Sequence, residues 1–362
     1  AWILLDPAGS AVLAQHKADV PMAPASTTKV MTLYLLHKAI RQGTLALDTR
    51  VRVSPRAVQS VGEGGSRMWL RAGQHVSIRD LQLGVAVHSG NDAATVVAEA
   101  VAGSEKNFVK RMNAHAVRLG MTRTQFRNAS GLPQAGHVST ARDLARLTQA
   151  FLADFPEEYK IFKEKCFTFA GRKECTKNFL LWQDASADGV KTGHTKEAGY
   201  CLIASAKRQG TRLISVVLGS GGEQERVDQS KRLLEYGFRH YKTHRVHSAD
   251  TPIDTPRVWL SNQRTVPVGV RENVVLTVPK NAATRLYTRL RVNEPLQAPV
   301  RRGDRVGTLT VALDNQVLHE RPLIALKSVA RGGWVAQARD RMLLFLRGFS
   351  ATTRKGITRS IF

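Results

Sequence analysis

Ser26 and Lys29 stand three residues apart in "APASTTKVMTLYLL", directly ahead of an apolar run. On a helix, residues three apart share a face, so the Lys29 amine can reach the Ser26 hydroxyl. A desolvated amine has a lowered pKa and can accept the serine proton, which would make Ser26 a nucleophile. The same residues also suit an N-cap serine followed by a solvated first-turn lysine. A Ser-x-x-Lys spacing is expected roughly once by chance in a chain of this length, so other segments must decide.

Two further clusters follow in order. Ser89-Gly90-Asn91 interrupts two helical stretches between Ser77 and Ala102, and such a tight link can point polar side chains into a cleft. Lys191-Thr192-Gly193 lies on the strand-like "DGVKTG" and is followed by His194.

The ordered trio Ser26-x-x-Lys29, Ser89-x-Asn91 and Lys191-Thr192-Gly193 resembles the penicillin-recognising serine enzymes. The segments "DVPMAPASTTKVMT", "SGNDAA", "FRNASGLPQAGHVSTARDLARL" and "DGVKTGHTKEAGYCLIASA" are similar to D-alanyl-D-alanine carboxypeptidases of the low-molecular-mass penicillin-binding protein group. That resemblance implies a role for each matching residue. Ser26 attacks the carbonyl between two D-alanines, Lys29 is its general base, and Ser89 relays a proton to the leaving amine. Asn91 bonds the substrate backbone and holds Lys29. Lys191 and Thr192 attract the substrate carboxylate, and the backbone N–H groups of Ser26 and His194 form the oxyanion hole beside Gly193. Arg226 in "SGGEQERVDQSKR" aligns with a carboxylate-binding arginine of relatives, or is a solvated residue at a helix start. The expected partners are peptidoglycan stem peptides and β-lactams acting as covalent inhibitors; no cofactor and no metal is implied.

The elements that must position these residues follow from pattern. "WILLD" and "AVLAQ" around "PAGS" form a hairpin, a helix runs from near Ser26 to Gly43, and helices occupy 104 to 119 and 140 to 154. Two β-rich runs follow "DGVKTG". The pattern reads as an α/β or α+β beginning, and the resemblance implies an α/β (α+β) fold, helices around a mainly antiparallel sheet, over residues 1–241. Residues 242–330 are rich in Val, Thr, Pro and Arg without helical period, which suggests a small all-β domain. Residues 331–362 form an amphipathic helix and a basic tail that look appended rather than packed. Trp334, Val335, Ala338, Met342, Phe345, Leu346 and Phe349 share one arc, with Gln337, Asp340 and Arg347 opposite. Such a helix suits an anionic membrane surface, or docks on the β domain.

Composition narrows the partners. The chain has 362 residues, and 54 Lys and Arg against 29 Asp and Glu give a formal charge of +25. This balance fits nucleic acid, anionic lipid or an acidic polymer. The basic residues are scattered and aromatics make up only 6%, so nucleic acid is not expected. Cys166 and Cys175 flank the turn-like "FAGRKE" and could pair across a hairpin or remain free thiols; Cys201 stands alone. His240, His244 and His247 have ligand-like spacing but no Cys or carboxylate support, and read as an exposed basic linker. The first residues lack a basic leader region, so the chain is cytoplasmic or has lost its leader, and no apolar run is long enough to span a bilayer. With the resemblance, this places the protein peripherally on the periplasmic face of the inner membrane. A β-lactamase of the glutamate-assisted class would need an E-x-x-L-N pattern that "EEYKIF", with Glu157 and Glu158, does not supply. A non-catalytic envelope scaffold is the alternative from another class.

Overall fold

The computed structural model describes residues 1–348 except Ser10 and Glu63, and the backbone of 357–360; Phe349 of the expected apolar arc lies outside the described residues. The chain divides into two compact units, Ala1–Arg239 and His240–Phe362.

In the first unit the strands are β1 (Trp2–Asp6), β2 (Ala11–His16), β3 (Arg50–Arg52), β4 (His75–Ser77), β5 (Cys166–Phe169), β6 (Arg172–Cys175), β7 (Ala187–Thr195), β8 (Gly199–Arg208) and β9 (Thr211–Ser220). The helices are α1 (Lys29–Arg41), α2 (Pro55–Gln59), α3 (Ile78–Leu83), α4 (Asn91–Ala102), α5 (Glu105–Arg118), α6 (Ala141–Asp154), α7 (Leu180–Gln183) and α8 (Glu223–His240). The main sheet has the order β2-β1-β9-β8-β7 and is antiparallel throughout. Its central strands are apolar on both faces because both are covered. Ile3, Leu5, Ile203, Ile214 and Val216 join the core of the helical layer. Their alternating neighbours Leu4, Leu202, Ala204 and Leu213 pack with Val227 and Leu234 of α8. The approach of α8 is close enough to need Gly237, where a Cβ would lie 2.4 Å from Leu213 Cδ1.

Helix boundaries follow local chemistry. Ser104 and Thr140 cap α5 and α6, accepting bonds from Asn107 and Asp143 N–H. Helix α1 has no such cap: a 3-10 turn, Ala25–Thr28, runs straight into it. The helix is buried on nearly every side through Val30, Met31, Leu33, Leu35 and Leu36, so the core rather than a cap fixes it. The hairpin β5–β6 brings Cys166 opposite Cys175, and the two form a disulfide; Cys201 is a buried free thiol.

In the second unit, β10 (Tyr241–His247) pairs with β12 (Val274–Pro279). A five-stranded antiparallel sheet combines β11 (Val268–Gly269), β13 (Leu286–Val292), β14 (Arg305–Leu313), β15 (Gln316–Ala325) and β16 (Ile357–Ser360), in the order β11-β15-β14-β13-β16. Valines and leucines from these strands build one core. Two expectations need correction. His244 and His247 are not in an exposed linker but on β10, half-buried and with ladder partners, because the following Val-rich strand offers backbone pairing. No metal-binding cluster occurs among the described residues.

The terminal segment is also less detached than its composition suggests. Residues 357–360 pair with β13, and α9 (Trp334–Gly348) is held by Asp340, which is buried and accepts from Leu260 N–H at 2.8 Å and from Arg339 at 3.0 Å. The acid expected on the solvent face is therefore the docking residue. Trp334, Val335, Met342, Phe345 and Leu346 remain exposed, Trp334 at 82%. No helix among the described residues is long and apolar enough to cross a membrane.

Candidate active site

Ser26 follows Ala25, whose φ of +46° is left-handed and costly for a residue with a Cβ. The neighbouring segment holds this turn in place. At Gly131 (φ +85°) a Cβ would lie 1.8 Å from the Ala25 carbonyl oxygen, so only glycine permits the approach. Asn128 Oδ1 accepts from Gly131 N–H at 2.7 Å and keeps that loop closed.

Lys29 is fully buried, and its ammonium donates to Ser26 Oγ at 2.9 Å, Asn91 Oδ1 at 2.7 Å and the Ser130 carbonyl at 2.7 Å. Three acceptors aim the amine at the hydroxyl. Burial pushes its pKa well below the ordinary lysine value, Lys191 pushes it the same way, and Asp92 opposes. A neutral amine against a serine hydroxyl is the arrangement for proton abstraction. The cap alternative for Ser26 fails, since the hydroxyl is engaged by Lys29 and neither the turn nor α1 has a side-chain cap.

Ser89 ends a π-type turn, Gly84–His88, in a left-handed conformation (φ +66°). Asn91 opens α4, and its amide donates to the Val61 carbonyl at 3.0 Å, which orients Oδ1 toward Lys29. Asp92 accepts from the N–H groups of Met68 (2.7 Å) and Leu70 (3.2 Å), tying the segment 66–70 to the same helix start.

The opposite wall is β7. Lys191 and Thr192 are buried, and the backbone at Gly193 lies against Ser26: a Cβ there would come within 3.0 Å of Ser26 N. Burial, then Arg226 and Lys177, lower the Lys191 pKa to about 7. Arg226 is not the solvated residue that was one alternative. It is 1% exposed, and it donates to the Gly193 carbonyl at 3.3 Å, the Lys177 carbonyl at 3.3 Å and Glu223 at 2.8 Å. The His194 ring is exposed and stacks on Tyr200 at 4.1 Å. Glu157 is an exposed partner of Lys160.

Hydrogen bonds thus join Ser26, Lys29 and Asn91, the backbone of Gly193 lies against Ser26, and Arg226 on α8 reaches the Gly193 carbonyl. Sequence pattern did not point to Asn128, Ser130 and Gly131 as the seat of the nucleophile, nor to His137. The His137 ring accepts from Arg127 N–H, which leaves Nε2 as the donor to Thr28 Oγ1 at 3.0 Å. Burial lowers its pKa to about 4 and keeps it neutral beside Lys29. The segment "NASGLP" carried the only signal, a glycine among polar turn formers.

A family model described as D-alanyl-D-alanine carboxypeptidase matches residues 1–222, and one described as penicillin-binding protein 5, C-terminal domain, matches residues 241–331. The D-alanyl-D-alanine carboxypeptidase DacC of Escherichia coli is 40% identical over 349 residues, covering 95% of this chain and 87% of that protein. DacA of the same organism is 36% identical over 348 residues, covering 95% and 86%. The crystal structure of penicillin-binding protein 5 from Haemophilus influenzae matches with a TM-score of 0.84 at 35% identity, over 91% of this chain and 97% of that one. Penicillin-binding protein D2 of Listeria monocytogenes in an ampicillin-bound form matches with a TM-score of 0.58 at 33% identity, over 66% and 96%. With these matches over both units, the chain belongs to the D-alanyl-D-alanine carboxypeptidase family.

Proposed function

We propose that the protein removes the terminal D-alanine of peptidoglycan pentapeptides through an acyl-enzyme on Ser26. Ser26 Oγ attacks the carbonyl carbon of the penultimate D-alanine while its proton passes to Lys29 Nζ. The N–H groups of Ser26 and His194 hold the oxyanion. The C–N bond then breaks, Ser89 gives its hydroxyl proton to the leaving amine and is reprotonated by the Lys29 ammonium, which becomes neutral again, and D-alanine departs. Water attacks the ester with Lys29 again taking a proton, and Ser26 is regenerated as the tetrapeptide acid leaves. Lys191, Thr192 and Arg226 bind the terminal carboxylate, and Asn91 bonds the peptide backbone and steadies Lys29.

The observation that carries this reading is the buried, threefold-held Lys29 amine 2.9 Å from Ser26 Oγ. β-Lactams would acylate the same serine, as the ampicillin-bound relative suggests. Without the E-x-x-L-N sequence pattern of glutamate-assisted β-lactamases, the penicilloyl-enzyme would hydrolyse slowly. Residues 1–241 form the catalytic domain and 242–330 the small β-rich domain. Residues 331–362 would rest on an anionic membrane surface at the periplasmic face, through the apolar side of α9 that is left exposed.

The test is labelling with a fluorescent penicillin and mapping of the labelled peptide, with D-alanine release from diacetyl-Lys-D-Ala-D-Ala measured in parallel. Ser26→Ala is expected to abolish labelling and lower release by about 10⁴-fold or more. Label on another residue defeats the mechanism, and a folded wild type that releases nothing favours a scaffold role.

A further inference from the structure

We propose that Trp69, flanked by Arg67 and Arg172, forms a subsite for an acidic segment of the substrate upstream of the cleaved bond. This deepens the function proposed above and rests on it.

A single exposed aromatic residue is commonplace and needs no partner. Trp69 differs in three respects. Its φ is +61°, a conformation in which a bulky residue is an outlier, yet its indole stays 49% exposed. Core packing therefore does not account for the strained backbone. The conformation is imposed by the catalytic framework, because Asp92 grips the N–H groups on both sides of Trp69, and Asn91 N–H donates to the Ser66 carbonyl at 2.8 Å. The backbone of Met68 lies against Gly90, where a Cβ would sit 3.1 Å from Met68 N. Trp69 is thus locked to the Ser89-Gly90-Asn91 link.

The third respect is charge. The Arg67 and Arg172 guanidinium carbons lie 5.2 Å and 4.6 Å from the indole centre, inside cation–π range. Neither guanidinium has an acidic partner among the described residues. Arg172 comes from the disulfide-closed β5–β6 hairpin, whose one acid, Glu174, is taken by His88 Nδ1 at 3.1 Å beside Ser89. Lys177 adds charge nearby, since it depresses both His88 and Lys191. The rim is a rigid aromatic plate with two cations left to pair. The terminal carboxylate of the substrate is assigned to Lys191, Thr192 and Arg226. A second cationic group on the Ser89 side then suits the free carboxylates that stem peptides carry before D-Ala-D-Ala, with the indole packing on the intervening aliphatic chain.

The experiment compares kcat/KM for two substrates with the same end: diacetyl-Lys-D-Ala-D-Ala, and the same peptide extended by an acetylated γ-D-glutamyl residue with a free carboxylate. Wild type is expected to prefer the acidic peptide by about threefold to fivefold through KM, and to lose that preference in 0.5 M salt. Trp69→Ala and Arg172→Gln are expected to bring the ratio to about 1, with the penicillin acylation rate as the check on an intact fold. An unchanged ratio in both variants, losses shared equally by the two substrates, or no preference in wild type overturns the subsite. Release from neither substrate by the wild type overturns the carboxypeptidase reading itself.

Discussion

The cleft of the first unit and helix α9 of the second break the same rule in opposite directions. In the cleft, groups that normally seek water are buried: Lys29, Lys191 and Arg226 are each at most 2% exposed. In α9, groups that normally avoid water face it, while the helix docks through its acid Asp340. Buried charges and exposed apolar surface are the informative departures from ordinary burial. The cleft shows departure through preorganisation: three acceptors on separate segments converge on one amine, and strained residues Ala25 and Ser89 border it. The helix shows departure through exposure, with Trp334, Val335 and Met342 each more than half exposed. One region buries its charges and the other exposes its apolar groups.

The sharpest way to break the first half of that contrast is to remove the amine while keeping the fold. Lys29→Met is expected to lower the penicillin acylation rate by about 10²- to 10⁴-fold and to raise thermal stability, because a buried, desolvated charge is replaced by a thioether of similar length. Acylation at the wild-type rate would show that Lys29 is not the base. Moving the nucleophile without touching any reacting group should come next in size. Gly131→Ala places a Cβ against the Ala25 carbonyl in a left-handed conformation, and a displacement of about 1 Å costs roughly 100-fold in acylation. A variant that folds and acylates normally would show that the turn does not depend on that approach.

The second half is tested by making the apolar side of α9 acidic. Trp334→Glu with Met342→Glu is expected to weaken binding to vesicles containing phosphatidylglycerol by about tenfold or more, read by sedimentation. D-alanine release from the soluble tripeptide should not change. Equal vesicle binding would show that the exposed residues are not the contact.

The contrast also explains how much was legible in the sequence. The order of the three motifs, the β-rich runs of the sheet and the helices α5 and α6 are local patterns, and they were readable. The seat of the nucleophile was not: Ser130 meets Lys29 across 101 residues, and His137 meets Thr28 across 109. No spacing signals such contacts. In α9, periodicity correctly grouped Trp334, Met342 and Phe345 on one arc, but a helical period says which residues share a face, not which face is buried. Asp340 was therefore placed in solvent, although it accepts from Leu260 N–H inside the unit. His244 and His247 suggested a helix-like spacing, yet their valine-rich partner strand β12 decided the backbone.

The smallest expected effect concerns the pH at which the buried charges of the cleft are present. Lys191 is held at about 7 by burial and by the charges of Arg226 and Lys177. Its ammonium is thus complete below that value and lost above it. Binding of a substrate carboxylate should weaken as pH rises through 7, so KM for diacetyl-Lys-D-Ala-D-Ala should climb several-fold between pH 6 and pH 8. The Lys29 amine acts in its neutral form, which burial favours. Lys191→Arg supplies a cation that stays charged across this range, and should flatten the KM profile. A KM that stays constant in the wild type would mean that Lys191 does not meet the carboxylate as a titrating group, and that Thr192 and Arg226 carry the contact.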